Sequence, residues 1–250
     1  MNTSLRTYWL GRRDYAPTLQ LMQDLVTARR KNQIQDMLLL LEHAPVITLG
    51  RGAKLQHILE GKEELERIGI QVVETGRGGD VTLHAPGQLI AYPIVFLPPG
   101  KQDVRKYVRA LTHTMNELIA PFGLQGGTKK DLIGLWLDRE QPQNWPGEEH
   151  AQRPAKIGAI GVRINRWVTS HGFALNLSTD LSLFDLIVPC GIHQHGVTSV
   201  AQLSKNVIST REAAKTAGPL LAEKIIGAES AEEDLSSLRD DELRDLCLQE

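Results

Sequence analysis

The 250-residue chain predicts a layered α/β or α+β fold, and three observations predict it. Compact apolar runs such as MLLLLEH at 37–43 read as buried strands. Longer stretches with apolar residues three and four apart read as amphipathic helices. The two kinds of segment alternate irregularly, which argues against a clean series of strand–helix–strand units.

Taken in order, residues 5–10, LRTYWL, form a short strand, and Asp14 can cap a helix with Pro17 in its first turn. Along that helix Leu19, Met22, Leu25 and Val26 recur at helical spacing, and Arg29, Arg30 and Lys31 lie where the dipole favours cations. After the strand at 37–43 and Pro45, Val46-Ile47-Thr48-Leu49 resumes an extended chain that stops at Gly50-Arg51-Gly52. Residues 61–69 form a short helix ending in glycine, and 70–75 another strand. Residues 103–123 form a strong amphipathic helix with Val104, Val108, Leu111, Met115 and Leu118 on one face, and His113 solvated. A strand at 132–137 leads into a polar, proline-rich exposed loop at 138–154. KIGAIGVRI and WVTSHGFALNL then form a hairpin through a tight turn at Asn165 and Arg166. After an irregular segment to Cys190, residues 191–204 wrap toward a short helix, and 211–227 and 231–248 read as two further helices, the last acidic. The division is therefore a main domain at 1–205 and a helical C-terminal extension at 206–250, packed on it or trailing from it.

Composition bounds the function. A 41% hydrophobic and 23% charged chain is that of an ordinary globular protein. A formal net charge of -2 argues against a dedicated nucleic-acid binder. The two cysteines, Cys190 and Cys247, suit a reducing compartment better than a disulfide framework, and Cys247 reads as a free surface thiol on the terminal helix. The N-terminus lacks the apolar core of a signal peptide, and no apolar run approaches the roughly 20 residues needed to span a bilayer. The expectation is a cytoplasmic protein with no membrane contact.

Two stretches carry chemistry. The first, from Lys156 to Cys190, holds one lysine, one histidine and one cysteine. A thiol becomes a good nucleophile as the thiolate, and Lys156 can supply either a base or a positive charge. The plainer reading of Cys190 is a small buried hydrophobe after Leu186-Ile187-Val188, but Pro189 and Gly191 on either side fit a strand-to-loop junction open to substrate. The second stretch is GRGGDVTLHAPGQLIAYPIV, 76–95. Glycines around Arg77 let successive N–H groups converge on a ligand oxygen, and Arg77, Thr82, His84 and Gln88 cluster beside them. A hairpin with glycines serving only its turn is the competing explanation.

Other chemistries fit less well. Cys190, His193 and His195, with His171 and His84 elsewhere, lack the paired spacing of zinc ligands, so no metal is expected. Neither GGTKKD at 126–131 nor GRGGD at 76–80 matches a nucleotide-binding glycine motif. A cysteine–histidine hydrolase, with His171, His193 or His195 as base, stays open.

In this order, EHAPVITLGRGA, RGGDVTLHAPGQLIAYPI, KIGAIGVRINRWVTSHGFALNL and FDLIVPCGI resemble the octanoyltransferases of lipoate biosynthesis over roughly residues 5–205. Ala85 departs from the family pattern, which carries glycine after the histidine, and the 138–154 loop and the tail are longer than the pattern. The resemblance implies the biotin/lipoate protein ligase fold, a mixed β-sheet with flanking helices, and two-step acyl transfer without a cofactor. By motif, Cys190 would accept the acyl group and Lys156 would lower its pKa. Arg77, Gly78, Gly79, Asp80, Val81, Thr82, Leu83 and His84 would bind substrate, with Ala159, Ile160, Gly161, Gly172, Phe173 and Ala174. The glycine-rich backbone and His84 would stabilise the oxyanion. The implied donor is octanoyl-acyl carrier protein. The implied acceptors are apo lipoyl domains of 2-oxoacid dehydrogenase E2 subunits and the glycine cleavage H protein. An ATP-dependent lipoate or octanoate ligase of the same fold, or a noncatalytic relative that binds carrier domains, are the alternatives.

Overall fold

The computed structural model describes residues 4–189 and 195–249. Its main element is a nine-stranded mixed sheet. The strands in chain order are β1 (Leu5–Arg13), β2 (Met37–His43), β3 (Val46–Leu49), β4 (Gln71–Glu74), β5 (Val81–His84), β6 (Gln88–Ile94), β7 (Gly127–Lys129), β8 (Leu132–Asp138), β9 (Pro154–Asn165), β10 (Val168–Asn176), β11 (Gly196–Val197) and β12 (Ser230–Asp234). The helices are α1 (Tyr15–Arg30), α2 (Lys62–Arg67), α3 (Val104–Ile119), α4 (Val200–Leu203), α5 (Thr210–Leu221) and α6 (Asp240–Gln249). The large sheet runs β12-β1-β2-β6-β10-β9-β8-β7, with β11 paired in parallel to β9, and β4-β3-β5 form a separate three-stranded sheet.

The apolar run in β2 is explained by its central place. Leu38 and Leu40 enter one core with α3 and α5, while Met37, Leu39 and Leu41 enter another with α1 and α6, and all five are fully buried. A strand covered on both faces needs apolar residues at every position. Each such leucine contributes roughly 1.5–3 kcal/mol. β6 repeats the alternation, with Leu89 and Ala91 on the first side and Ile90, Tyr92 and Ile94 on the second. The small sheet closes a third core around Ile47, Val81, Leu83, Leu65 and Ile187. The mixed α/β architecture expected from the sequence is thus observed.

Several local expectations are corrected. Asp14 stands at the N-cap of α1 without a side-chain cap, and its carbonyl instead accepts a bond from Thr18 Oγ1 at 2.8 Å. The hairpin turn is one residue later than expected, at Arg166 and Trp167, whose φ angles of 50° and 63° are those of a twist-matched two-residue turn. Residues 231–248 are not one helix. Ser230–Asp234 extends the large sheet beside β1, and only then does α6 begin. The acidic strand reads as helix because its alternation is masked by exposed glutamates. Cys247 is fully buried in the α1–α6 core, not on the surface, because it lies on the face of α6 that carries Leu243. His113 is exposed, as expected. Among the described residues no helix is long and apolar enough to cross a membrane.

Candidate active site

The glycine stretch between β4 and β5 is organised by Arg77, which is buried. Its guanidinium donates to the Thr48 carbonyl at 2.6 Å, to Thr48 Oγ1 at 2.9 Å and to the Asp80 carbonyl at 2.8 Å. Arg77 therefore ties β3 to the loop. Gly161 on β9 lets the loop lie close, since a Cβ there would stand 3.1 Å from both Arg77 Cδ and the Gly78 carbonyl. Asp80 is equally engaged. Its carboxylate accepts from Lys54 N, Val81 N and His57 Nδ1, the last at 2.6 Å. The His57 carbonyl in turn accepts from Val188 N at 2.7 Å. This links the glycine loop to the segment that leads into Cys190.

Along β5 successive side chains face opposite sides. Thr82 and His84 line a small cavity with Tyr15, Arg77, Gly79, Asp80, Tyr92, Ala159, Ile160, Gly161, His171, Gly172, Phe173 and Ala174. Val81 and Leu83 point the other way, into the core of the small sheet. Gly78 borders the neighbouring cavity on the α3 side. Of the expected substrate-binding positions, the structure brings all but Val81 and Leu83 to these two cavities.

Part of the cavity wall belongs to a buried aromatic group, in which the sequence singles out His84 and His171 but not Tyr15, His43 and Tyr92, because these come from distant elements. Tyr15 stacks on His84 with ring centroids 5.9 Å apart, His43 Nε2 lies 3.0 Å from the Tyr92 hydroxyl, and Tyr92 meets His171 edge-on. His43 Nδ1 lies 3.0 Å from the Arg13 carbonyl, which only accepts, so Nδ1 carries the proton and Tyr92 donates to Nε2. Desolvation lowers His43 to about 4 and His171 to about 3, with Arg77 and Arg163 adding to the latter. His84 is held well below its ordinary value by burial and by His43. Burial raises Tyr15 to about 12. All three histidines are neutral at pH 7. His171 adopts a left-handed φ of 54° inside β10, and its buried Nδ1 has no hydrogen-bond partner.

A second chain of bonds fixes the His84 tautomer. Asn176 Nδ2 donates to the Thr198 carbonyl at 3.0 Å, so Asn176 Oδ1 is the acceptor for Gln88 Nε2 at 2.8 Å. Gln88 Nε2 also donates to the Leu83 carbonyl, leaving Oε1 to accept from His84 Nδ1 at 2.8 Å. A neutral His84 with its proton on Nδ1 has only an acceptor on its other nitrogen. This contradicts the expectation that His84 donates to an oxyanion. Gln88 stood in the motif, but its pairing with Asn176, 88 residues away, is a tertiary fact.

Lys156 on β9 is buried, with Nζ 4.9 Å from the Trp136 ring centroid. Gly134 on β8, with φ 143°, makes room for the lysine stem, since a Cβ there would meet Lys156 Cε at 3.2 Å and the Gly158 carbonyl at 2.5 Å. Lys156 borders two cavities. One, of about 340 Å³, is walled by Gly78, Gly79, Val108, Leu132, Ile133 and Ile160. The other also contains Thr82, Gln88, Ala159, Ala174, Asn176 and Pro189. Cys190, Gly191 and His193 lie outside the described residues. Both flanks of that stretch are described. Pro189 lines a cavity with Lys156, Gly196–Val197 pairs with Ala155–Lys156, and His195 packs edge-on against Trp136, the ring beneath Lys156.

Among the described residues no group of three His, Cys, Asp or Glu side chains is placed to hold a metal ion. The histidines weighed as hydrolase bases divide accordingly: His171 is in the tyrosine–histidine wall, His195 on Trp136, and His193 outside the described residues.

The family model described as the lipoyl protein ligase A/B catalytic domain matches residues 14–218. An octanoyltransferase of Myxococcus xanthus is 46% identical over 200 residues, covering 80% of this chain but 53% of that protein. One of Solibacter usitatus is 48% identical over 194 residues, covering 78% of this chain and 81% of its own. Among solved structures, a lipoate-protein ligase A bound with ATP superposes with a TM-score of 0.69 at 13% identity, covering 98% of this chain and 94% of its own. That likeness concerns the fold.

Proposed function

The chain belongs to the lipoyl protein ligase A/B catalytic domain family and, within it, to the octanoyltransferases, and from that premise we propose a specific acyl route. Octanoyl-acyl carrier protein is the donor. The Cys190 thiolate attacks its thioester carbonyl, the carrier thiol leaves, and octanoyl-Cys190 forms. The ε-amine of a lysine on an apo lipoyl domain then attacks that thioester, the cysteine sulfur leaves, and an amide remains. Thioester exchange is nearly balanced and amide formation is downhill, so the cycle needs no ATP. The acceptors are lipoyl domains of 2-oxoacid dehydrogenase E2 subunits and the glycine cleavage H protein, in the cytoplasm.

One observation carries the reading: Lys156 and Pro189, the residue before Cys190, line one cavity, which also contains Thr82, Ala159 and Ala174. Lys156 promotes the thiolate as a base or as a nearby charge. Thr82, Ala159 and Ala174 also belong to the cavity bounded by Phe173 and Ile160. We assign the carbonyl oxygen to backbone N–H groups of the glycine stretch other than that of Gly78, which donates to the Val162 carbonyl at 2.9 Å. A ligase of the same fold would instead activate a free acid with ATP and would not need a cysteine, while a noncatalytic relative would bind carrier domains and release no product. Incubation with octanoyl-carrier protein and an apo lipoyl domain, without ATP, separates the three. The transferase octanoylates the domain and Cys190→Ala does not; transfer only from free octanoate plus ATP, or none, rejects the reading.

A further inference from the structure

The groove that reaches Lys156 from the surface has two outer walls, α3 and the turn between β7 and β8. Val108 on α3, Asp131 on the turn, and Leu132 and Ile133 at the start of β8 line it. Both walls end in exposed apolar residues. Val104, one turn before Val108, is 44% exposed, and Ile133 is 59% exposed. Since side chains four apart share a helix face, Val104 and Val108 form one stripe, and Arg105 and Arg109 form the next stripe round toward solvent. Arg105, Lys106, Arg109 and Lys130 are all exposed.

The carboxylates nearby are largely occupied. The Asp103 side chain caps α3 by accepting from Lys106 N, and Glu148 accepts from Lys130 N and pairs with Lys129. Two carboxylates line the groove itself: Asp131 at its mouth, and Asp80 deeper in, where His57 and two backbone N–H groups occupy it. The rim is thus an apolar lip with a basic margin, on a chain whose formal charge is -2 overall. Such a margin favours an acidic partner through encounter rate and orientation.

We propose that Val104, Ile133, Arg105 and Arg109 form the docking surface for the acyl donor, an acidic carrier domain bearing its thioester on a long flexible arm. This rests on the transferase reading above. A groove of about 340 Å³ running in to Lys156 suits an arm that enters lengthwise, whereas an acceptor lysine brings only its own short side chain.

The experiment compares octanoyl-carrier protein with octanoyl-pantetheine, which keeps the thioester and lacks the carrier surface, as donors for wild type and for Arg105→Glu/Arg109→Glu. The proposal expects the variant to raise KM for the carrier about tenfold or more, to lose most of its salt dependence, and to use octanoyl-pantetheine as wild type does. Equal KM values for the carrier, or an equal loss with both donors, overturn it. Normal acylation followed by slow transfer to the lipoyl domain also overturns it, and assigns the surface to the acceptor. Wild type that takes octanoyl from neither donor contradicts the transferase reading itself, and this docking surface with it, a failure visible before any variant is made.

Discussion

Lys156 Nζ stands 4.9 Å from the centre of the Trp136 ring, on adjacent paired strands, so the indole face forms the floor on which the lysine rests. A register shift between Leu135 and Trp136 sets this pairing. Trp136 is itself fixed by its Nε1–H, which donates to the Leu132 carbonyl at 2.9 Å.

A cation–π contact of this kind is worth about 0.5–2 kcal/mol, depending on desolvation. Trp136→Leu is expected to slow octanoylation of the enzyme by about tenfold, the rate equivalent of about 1.4 kcal/mol, and Trp136→Phe by less. Single-turnover acylation with both variants checks this. Equal rates for wild type and Trp136→Leu would show that the ring does not support the lysine.

The bond chain from His84 through Gln88 and Asn176 to Thr198 is buried and fully paired. Gln88→Leu leaves His84 Nδ1–H and Asn176 Oδ1 without partners, and is expected to cost roughly 1–3 kcal/mol for each group left unsatisfied. Urea unfolding measures the loss. In nitrogen NMR the wild-type His84 ring should show its proton on Nδ1, and a proton on Nε2 would refute the assigned orientation of the two amides.

Fold class, most elements and most of the cavity-lining residues were legible in the sequence, because period-two and helical patterns survive wherever one face is buried. The alternation along β5 was also available: it separates Thr82 and His84 from Val81 and Leu83, although the motif treats all four alike. What could not be read was any pairing across long separation. Tyr15, His43, Tyr92 and His171 come from four elements and carry no common spacing. His57 gave no signal before the structure joined it to Asp80. The strand at 230–234 was missed because edge pairing with β1, not its own pattern, makes it extended.

Acid sensitivity follows from the buried histidines. His43 and His171 have folded pKa values of about 4 and about 3, below the roughly 6.5 of an unfolded chain. Between these limits the unfolded state binds more protons, so their contribution is fully present above about pH 6.5 and is lost as pH falls toward the folded values. Each histidine removes roughly 1.4 kcal/mol per pH unit in that window. Melting temperatures from pH 7 to 4.5 should fall steeply, and His43→Gln should flatten the slope. A flat wild-type profile would contradict the neutral buried state.

Cys247 is fully buried beside Leu243. In a Cys190→Ser background the folded protein is expected to present no thiol to a water-soluble disulfide reagent, and one thiol after unfolding. Rapid reaction in the native state would place Cys247 back on the surface.

The central claim is that the cysteine at 190 carries the octanoyl group beside Lys156. Intact-protein mass spectrometry after mixing with octanoyl-carrier protein tests it most directly, on wild type, Cys190→Ala and Lys156→Ala. The account predicts one added octanoyl group on wild type, sensitive to hydroxylamine, none on Cys190→Ala, and slow accumulation on folded Lys156→Ala. An unmodified wild-type protein that still octanoylates a lipoyl domain, or acylation that survives in Cys190→Ala, would contradict it.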